Sequence, residues 1–391
     1  MMDPVQAFVG ADIHDGTSLH INMALTLDGN NAIDVFPVTD LPSDCAIHHL
    51  GGGTILPGYV DLQVNGGGGV MFNVDQSVAA LQTIANAHAT CGTAALLPTL
   101  ITDNFARTVA AIDAVQAAIN LGVPGIIGIH LEGPHLSVAR KGAHDPSLIR
   151  PMEQADLDLL LSAAARISNV MVTVAPENTT MTQISQLVEG GLTVSLGHTD
   201  ANFETCMAAF DAGARCVTHL FNAMSQLCNR EPGLVGAAFV RGDVHASMIA
   251  DGIHVHPAAI KTAIAAKGHN VFLVSDAMST AGSQIDGFDL HGRWIRRNNG
   301  RLTLEDGTLA GADLDLTRAV HLIQQDAGET VTTAITRATR TPTELLKEKG
   351  QWGTFGAGVD TLIYVDNAMS GVKPLLKILS DNTTLDGQAI L

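Results

Sequence analysis

The sequence predicts an α/β protein, a parallel (β/α)8 TIM-like barrel carrying a small β domain built from both chain ends. Three observations lead there. From Ile55 to about Met278, apolar strand-like runs alternate with helix-like stretches, and eight such runs can be counted. Several of those runs end in His, Glu or Asp, at the strand C-termini where α/β folds place their chemistry. The first 57 residues and the last 30 or so lack the alternation and read as short strands. A doubly wound sheet is the alternative reading of the same alternation.

Taken in order, residues 1–57 contain short apolar–polar runs broken by Asp15-Gly16 and Asp28-Gly29. Such dipeptides favour hairpin turns because glycine takes positive φ at little cost. The segment ends at Gly51-Gly52-Gly53. The expected barrel strands are Gly58–Asn65, Ala94–Leu100, Gly125–Gly133, Val170–Glu177, Leu192–Thr199, Cys216–Ala223, Val244–His254 and Val271–Met278. Helices are expected over Gln76–Cys91, Asn104–Leu121, Met152–Ser168 and Pro257–Gly268, and near 313–327 and 330–349. Residues 284–305 read as a β-hairpin inserted after the eighth strand. The chain then returns to strand pattern at GTFGAGVDTLIYVD. The expected division is therefore 1–57 plus 358–391 for the small domain and 58–357 for the barrel.

Composition narrows the function. The 391 residues are 46% hydrophobic, with a mean hydropathy of +0.22, enough for a large core. A formal net charge of −18 argues against a nucleic-acid footprint. Five cysteines without a CxxC read as reduced thiols in a cytoplasmic protein. Neither a signal peptide nor a membrane span is expected. An anionic substrate would need local positive charge.

The stretch from Val194 to Met224 reads as strand, helix, strand, with His198 and His219 at the two strand ends. Glu132 ends the third strand, in HLEGPH. One carboxylate and two imidazoles at one barrel face make a His2Glu set, which holds a catalytic metal and leaves a position for water. His130, two residues earlier, faces the same way but lies one layer deeper, as an interior hydrogen-bonded histidine. Gln63 and Asn65 stand on strand 1 where many barrel hydrolases have HxH. Neutral amides are poor ligands, and strand 4 offers no bridging lysine, so they mark a vestigial second metal position and point to one ion. Asp276 ends strand 8 and is the candidate general base and acid. Substrate-side candidates are His144, Asn222, Ala223, Arg230 and His254. Arg230 reads either as a surface residue paired with Glu231 or as a bidentate anion binder. The runs Gly51–Gly53 and Gly66–Gly69 lack a following GK[ST] and read as a linker and a close-packed loop. His88, His245, His256 and His321 read as structural or surface residues.

The ordered set PGYVDLQVNG, HLEGPH with KGAHDP, SLGHTDA, THLFNAM with REPGLVG, ADGIHV, SDAMSTAG and GTLAGADL resembles the N-acetylglucosamine-6-phosphate deacetylase family of the amidohydrolase superfamily. The resemblance covers most of the chain. It implies a (β/α)8 barrel with a small β-sandwich built from both termini. It implies Glu132, His198 and His219 as ligands of one divalent metal ion per subunit. Zinc is the expected ion, with iron, cobalt or manganese as alternatives. Asp276 would accept and donate the proton, and His144 would assist at the carbonyl. Ala143, His144, Asn222, Ala223, Arg230, His254 and the Leu309, Ala310, Gly311 segment would line the substrate site. The last segment is implied by the resemblance alone. The family also implies a homodimer, with Arg230 reaching into the neighbouring subunit. The expected reaction is hydrolysis of N-acetyl-D-glucosamine 6-phosphate to D-glucosamine 6-phosphate and acetate. The alternatives are the N-acetylgalactosamine 6-phosphate reaction and a non-catalytic sugar-phosphate sensor.

Overall fold

The computed structural model describes residues 5–28 and 33–380. Eight parallel strands form one sheet in strict sequence order: β1 (Tyr59–Val64), β2 (Thr93–Ile101), β3 (Ile129–Glu132), β4 (Val170–Val174), β5 (Thr193–Leu196), β6 (Cys216–Val217), β7 (His245–Met248) and β8 (Val271–Leu273). The ring closes where the chain beyond β8 meets β1. Asp276 N donates to Gln63 O at 3.1 Å, and Asn65 N donates to Ala277 O at 2.9 Å. Helices α1 (Val78–Thr90), α2 (Phe105–Asn120), α3 (Gln154–Arg166), α4 (Met181–Glu189), α5 (Phe203–Asp211), α6 (Gly233–Val240), α7 (Pro257–Lys267) and α8 (Leu316–Asp326) surround it. The expected barrel is the observed one.

The strands are apolar because both faces are covered, one by the barrel interior and the other by helices. All six residues of β1 and all five of β4 are buried. Loops leaving the strand C-termini end on capped helices. Asn104 accepts from Arg107 N, Thr180 from Gln183 N and Asn202 from Thr205 N. Each cap satisfies a helix donor that would otherwise be orphaned, and so fixes where a loop on the functional face must end.

The small domain is a pair of sheets. One runs Ile33–Pro37, Met23–Leu27, Gln6–Val9, Ala46–His49; the other runs Val372–Pro374, Leu362–Val365, Thr54–Pro57, Asp12–His14, Leu19–His20. They share a core of Phe8, Ile13, Leu25, Leu27, Ile55, Leu362 and Leu375, so both chain ends contribute. The Asp15-Gly16 turn forms as expected, with Gly16 at φ 104° and Asp15 Oδ1 accepting from Thr17 N and Ser18 N. The Asp28-Gly29 turn includes Gly29, which lies outside the described residues, as do residues 381–391 of the expected C-terminal segment. The chain crosses from sandwich to barrel at Gly58. A Cβ there would lie 2.5 Å from the Ala94 side chain and 2.7 Å from Thr361 O, so no larger residue fits.

Several expected boundaries are corrected. The third strand begins at Ile129 rather than Gly125; Ile126 makes only a single bridge, to Leu96. The sixth strand is two residues long, and His219 lies just beyond it. There the backbone stays tied to β7, because His219 N donates to Ser247 Oγ at 2.7 Å. The seventh strand ends at Met248, so His254 does not end it. Asp251 Oδ1 accepts from Ile253 N and His254 N, a turn that takes the chain out of strand geometry. The expected hairpin at 284–305 has three strands, Gly287–Leu290, Arg293–Asn298 and Arg301–Thr303. Phe288, Leu290, Ile295 and Leu302 seat this insert on Met71, Ile101 and Met278 of the barrel rim. Gly66 is close-packed as expected, since a Cβ there would meet Val70 O at 2.4 Å.

Candidate metal centre and substrate pocket

A cavity of about 380 Å³ opens at the C-terminal end of the barrel. It is lined by Glu132, His198, His219 and Asp276 at its base. Ala143, His144, Asn222, Ala223, His254, Leu309 and Gly311 line its walls, with Asn65 at its edge. The volume suits a monosaccharide-sized ligand. Two expected lining residues fall elsewhere. Ala310 is fully buried in the insert core, since its neighbours turn toward the cavity and it turns away. Arg230 is exposed and does not line its own chain's cavity. Nor is it paired with Glu231, whose carboxylate accepts from Phe203 N and Gly233 N instead.

Among the described residues, only Glu132, His198 and His219 bring three ligand-type atoms within 4.8 Å of one another. All three are buried. Glu132 Oε1 lies 3.0 Å from His219 Nε2 and 3.2 Å from His198 Nε2, and the two imidazole nitrogens are 3.1 Å apart. His198 Nδ1 is 2.7 Å from the Arg140 carbonyl oxygen, which can only accept. In the neutral ring the proton is therefore on Nδ1, and Nε2 presents a lone pair inward. A single proton on His219 Nε2 cannot satisfy both facing partners. Converging lone pairs of this kind fit a divalent cation, and a carbonyl behind the ligating histidine is the usual orienting partner.

Asp276 and the two amides of β1 form the adjoining cluster. Gln63 Nε2 donates to Glu132 Oε2 and to Asp276 Oδ1, each at 3.2 Å, and Asn65 Nδ2 donates to Asp276 Oδ1 at 2.7 Å. Carboxylates only accept, which fixes the amide orientation. Burial, and then the Glu132 charge, push the Asp276 carboxyl above its ordinary range. Burial works against ionised Glu132 too, but the facing imidazoles of His198 and His219 hold it well below. Beneath this pair Asp61, fully buried, accepts from Gln63 N and Ser275 N, and burial raises its pKa to about 7.

Unusual backbone geometry gathers at the same end of the barrel, although Asn22, His291, Asn299 and Met369 share it elsewhere. His198, His219, Phe221, Ala223 and Asp276 all have φ between 35° and 79°, a region that non-glycine residues rarely occupy. Strain of this sort persists where surrounding structure over-determines it, and it clusters at functional sites.

His130 lies one layer down, bonded to Thr173 Oγ1 at 2.7 Å, and burial lowers its pKa to about 4. It is the interior histidine expected. His88, His245 and His256 likewise have structural partners: Gly66 O, Glu344 and the N-cap of α7. Thr102, Arg140 and Asp251 were not singled out from the sequence. Thr102 N donates to His144 Nδ1 at 3.4 Å, and its hydroxyl lies 2.7 Å from the same nitrogen. That leaves the His144 proton on Nε2. Burial holds the His144 pKa well below its ordinary value, so the ring is neutral. His254 Nδ1 donates to Asp251 Oδ2 at 2.6 Å. The available signal for Asp251 was its place three residues before His254, in ADGIHV. Arg140 acts through its main chain, which residue identity does not reveal.

A profile of the amidohydrolase family matches residues 54–374. The chain is 43% identical over 312 residues to the N-acetylgalactosamine-6-phosphate deacetylase of Shewanella sp. strain ANA-3, covering 80% of this chain and 78% of that one. It is 32% identical over 302 residues to the N-acetylglucosamine-6-phosphate deacetylase of Haemophilus influenzae, covering 76% and 78%. The crystal structure of N-acetylglucosamine-6-phosphate deacetylase from Pasteurella multocida superposes with a TM-score of 0.88 at 32% identity, over 94% of this chain and 97% of that one.

Proposed function

The chain belongs to the amidohydrolase family, and on that premise we propose that it hydrolyses the N-acetyl group of N-acetyl-D-glucosamine 6-phosphate, giving D-glucosamine 6-phosphate and acetate. The observation that carries the reading is the buried Glu132–His198–His219 triad beside Asp276, in a monosaccharide-sized cavity. One divalent ion, zinc by our reading, would be held by those three side chains. When bound, such an ion polarises an amide carbonyl and lowers the pKa of a water.

The remaining chemistry belongs to the protein. Asp276 takes a proton from the attacking water and delivers it to the departing amine nitrogen. Because Gln63 and Asn65 both donate to Oδ1, Oδ2 is the oxygen left for proton transfer. His144, protonated on Nε2, donates to the substrate carbonyl oxygen. His254, anchored by Asp251, turns Nε2 toward a sugar hydroxyl. The Asn222 N–H is already given to His219 O, so the Ala223 N–H is the main-chain donor for the phosphate. Arg230, exposed on its own chain, would complete the phosphate site of a second subunit in a homodimer. Residues 58–357 would carry all of this, with 1–57 plus 358–391 as the bracing domain. Among the described residues no helix is long and apolar enough to cross a membrane. We place the activity in the cytoplasm.

The 43% identity to a galactosamine-type deacetylase favours a second reading, in which the 4-epimer is the preferred substrate. Acetate release from both sugar phosphates, with Zn²⁺ present, decides between them. We expect turnover of N-acetylglucosamine 6-phosphate with the higher kcat/KM. The reverse order would install the second reading, and no acetate from either sugar would overturn both.

A further inference from the structure

The insert after β8 does more than cover the barrel rim. Its strands Gly287–Leu290 and Arg293–Asn298 pair with Leu290 opposite Arg293, joined by the two-residue turn His291-Gly292. Both turn residues have positive φ, 53° and 74°. Asparagine or aspartate is the favoured residue before glycine in such a turn, and histidine there is unusual. Its ring, however, reaches across to the loop after β2, where His291 Nε2 lies 3.4 Å from Asp103 Oδ2, within ion-pair distance but without hydrogen-bond geometry. Two residues on, Arg293 Nη2 donates to the Ala143 carbonyl at 2.5 Å, in the loop after β3. Asp103 directly follows Thr102, and Ala143 directly precedes His144. Thr102 and His144 are themselves bonded. The tip thus holds one loop by a hydrogen bond and packs a histidine ring within ion-pair distance of the other, each one residue away from that bond.

We propose that the insert tip is a clasp that positions His144, with Arg293 and His291 as positioning residues. This rests on the deacetylase reading only for His144's role at the carbonyl; the mechanical part stands apart from it. The base of the insert is firmly seated, so the tip has a fixed platform from which to hold the two loops. Neither residue reaches reacting atoms. Each acts by keeping the Thr102–His144 pair, and hence the His144 Nε2 proton, in place.

Arg293→Ala is expected to lower kcat/KM by about 10-fold or more, toward the ~10²-fold that a 1 Å misplacement costs. Metal content and unfolding midpoint should stay near wild type. Arg293→Lys should recover part of the loss. Arg293→Ala and His144→Ala should combine non-additively, the double variant being no worse than His144→Ala alone. His291→Asn supplies a better turn residue with a shorter reach. A purely structural role predicts unchanged or improved activity from it, whereas the clasp predicts a loss. Hydrogen exchange of residues 139–146 gives a readout independent of turnover. Faster exchange there in Arg293→Ala, with α8 unaffected, supports the clasp. Unchanged exchange, or fully additive effects with His144→Ala, would overturn it. Failure of wild-type turnover would instead count against the deacetylase reading.

Discussion

Asp276→Asn is expected to lose at least the ~10²–10⁴-fold in kcat that one general acid–base step contributes. The substitution preserves shape and burial, so the loss would come from chemistry. It removes both proton transfers assigned to one carboxylate, which puts the expected effect at the upper end. The surrounding bonds make the test clean in one direction and demanding in another. The introduced side chain could still accept from Asn65 and Gln63 through its carbonyl oxygen. Its NH₂ group would then stand where Oδ2 stands, and an amide cannot take a proton at neutral pH. KM should change little, because the residue acts on water and leaving group and not on the sugar. A variant with near wild-type kcat would remove Asp276 from the mechanism.

The second large effect concerns the ion. Metal analysis of the purified protein is expected to give one equivalent per chain, and His219→Ala close to none. Activity should fall by roughly 10³-fold or more, since a Lewis-acid metal supplies several kcal/mol and each 1.36 kcal/mol is tenfold. Chelation of the wild-type protein should produce the same loss, and Zn²⁺ should reverse it. Two equivalents per chain would show that Gln63 and Asn65 were misread. Their geometry argues for one, because both amides turn their N–H groups toward Glu132 and Asp276 and stand as donors to the carboxylates.

The legible parts of the molecule were those written in residue type and period. Alternating apolar strands and helices gave away the barrel, and strand-end Glu132, His198, His219 and Asp276 marked its functional face. For Arg230 the surface position was one of two readings, but its pairing with Glu231 was not legible, because Glu231 instead accepts from the main chain at Phe203 and Gly233. The sequence places His254 at a strand end because Val244, Ala246, Met248 and Ala250 recur at strand spacing and Ile253 follows; the Asp251 turn that ends the strand early is a tertiary choice of hydrogen-bond partner. Arg140 contributes a carbonyl oxygen, a group every residue has. The clasp role of Arg293 depends on a 150-residue separation in sequence, and no local pattern encodes such a contact.

The closure of the ring at Asp276 carries an implication for how the protein matures. The three proposed metal ligands lie between residues 132 and 219, on or just beyond strands β3, β5 and β6, within one run of four consecutive strands. Asp276 meets Gln63 across a separation of 213 residues, the kind of non-local pairing that is entropically expensive and slow to form. During refolding, metal uptake should therefore precede the return of acetate release, and the lag between them would time the joining of the first strand to the last. Simultaneous recovery of the two would mean that the barrel assembles in one cooperative step. A chain arrested before its seam forms would hold its ion and remain silent.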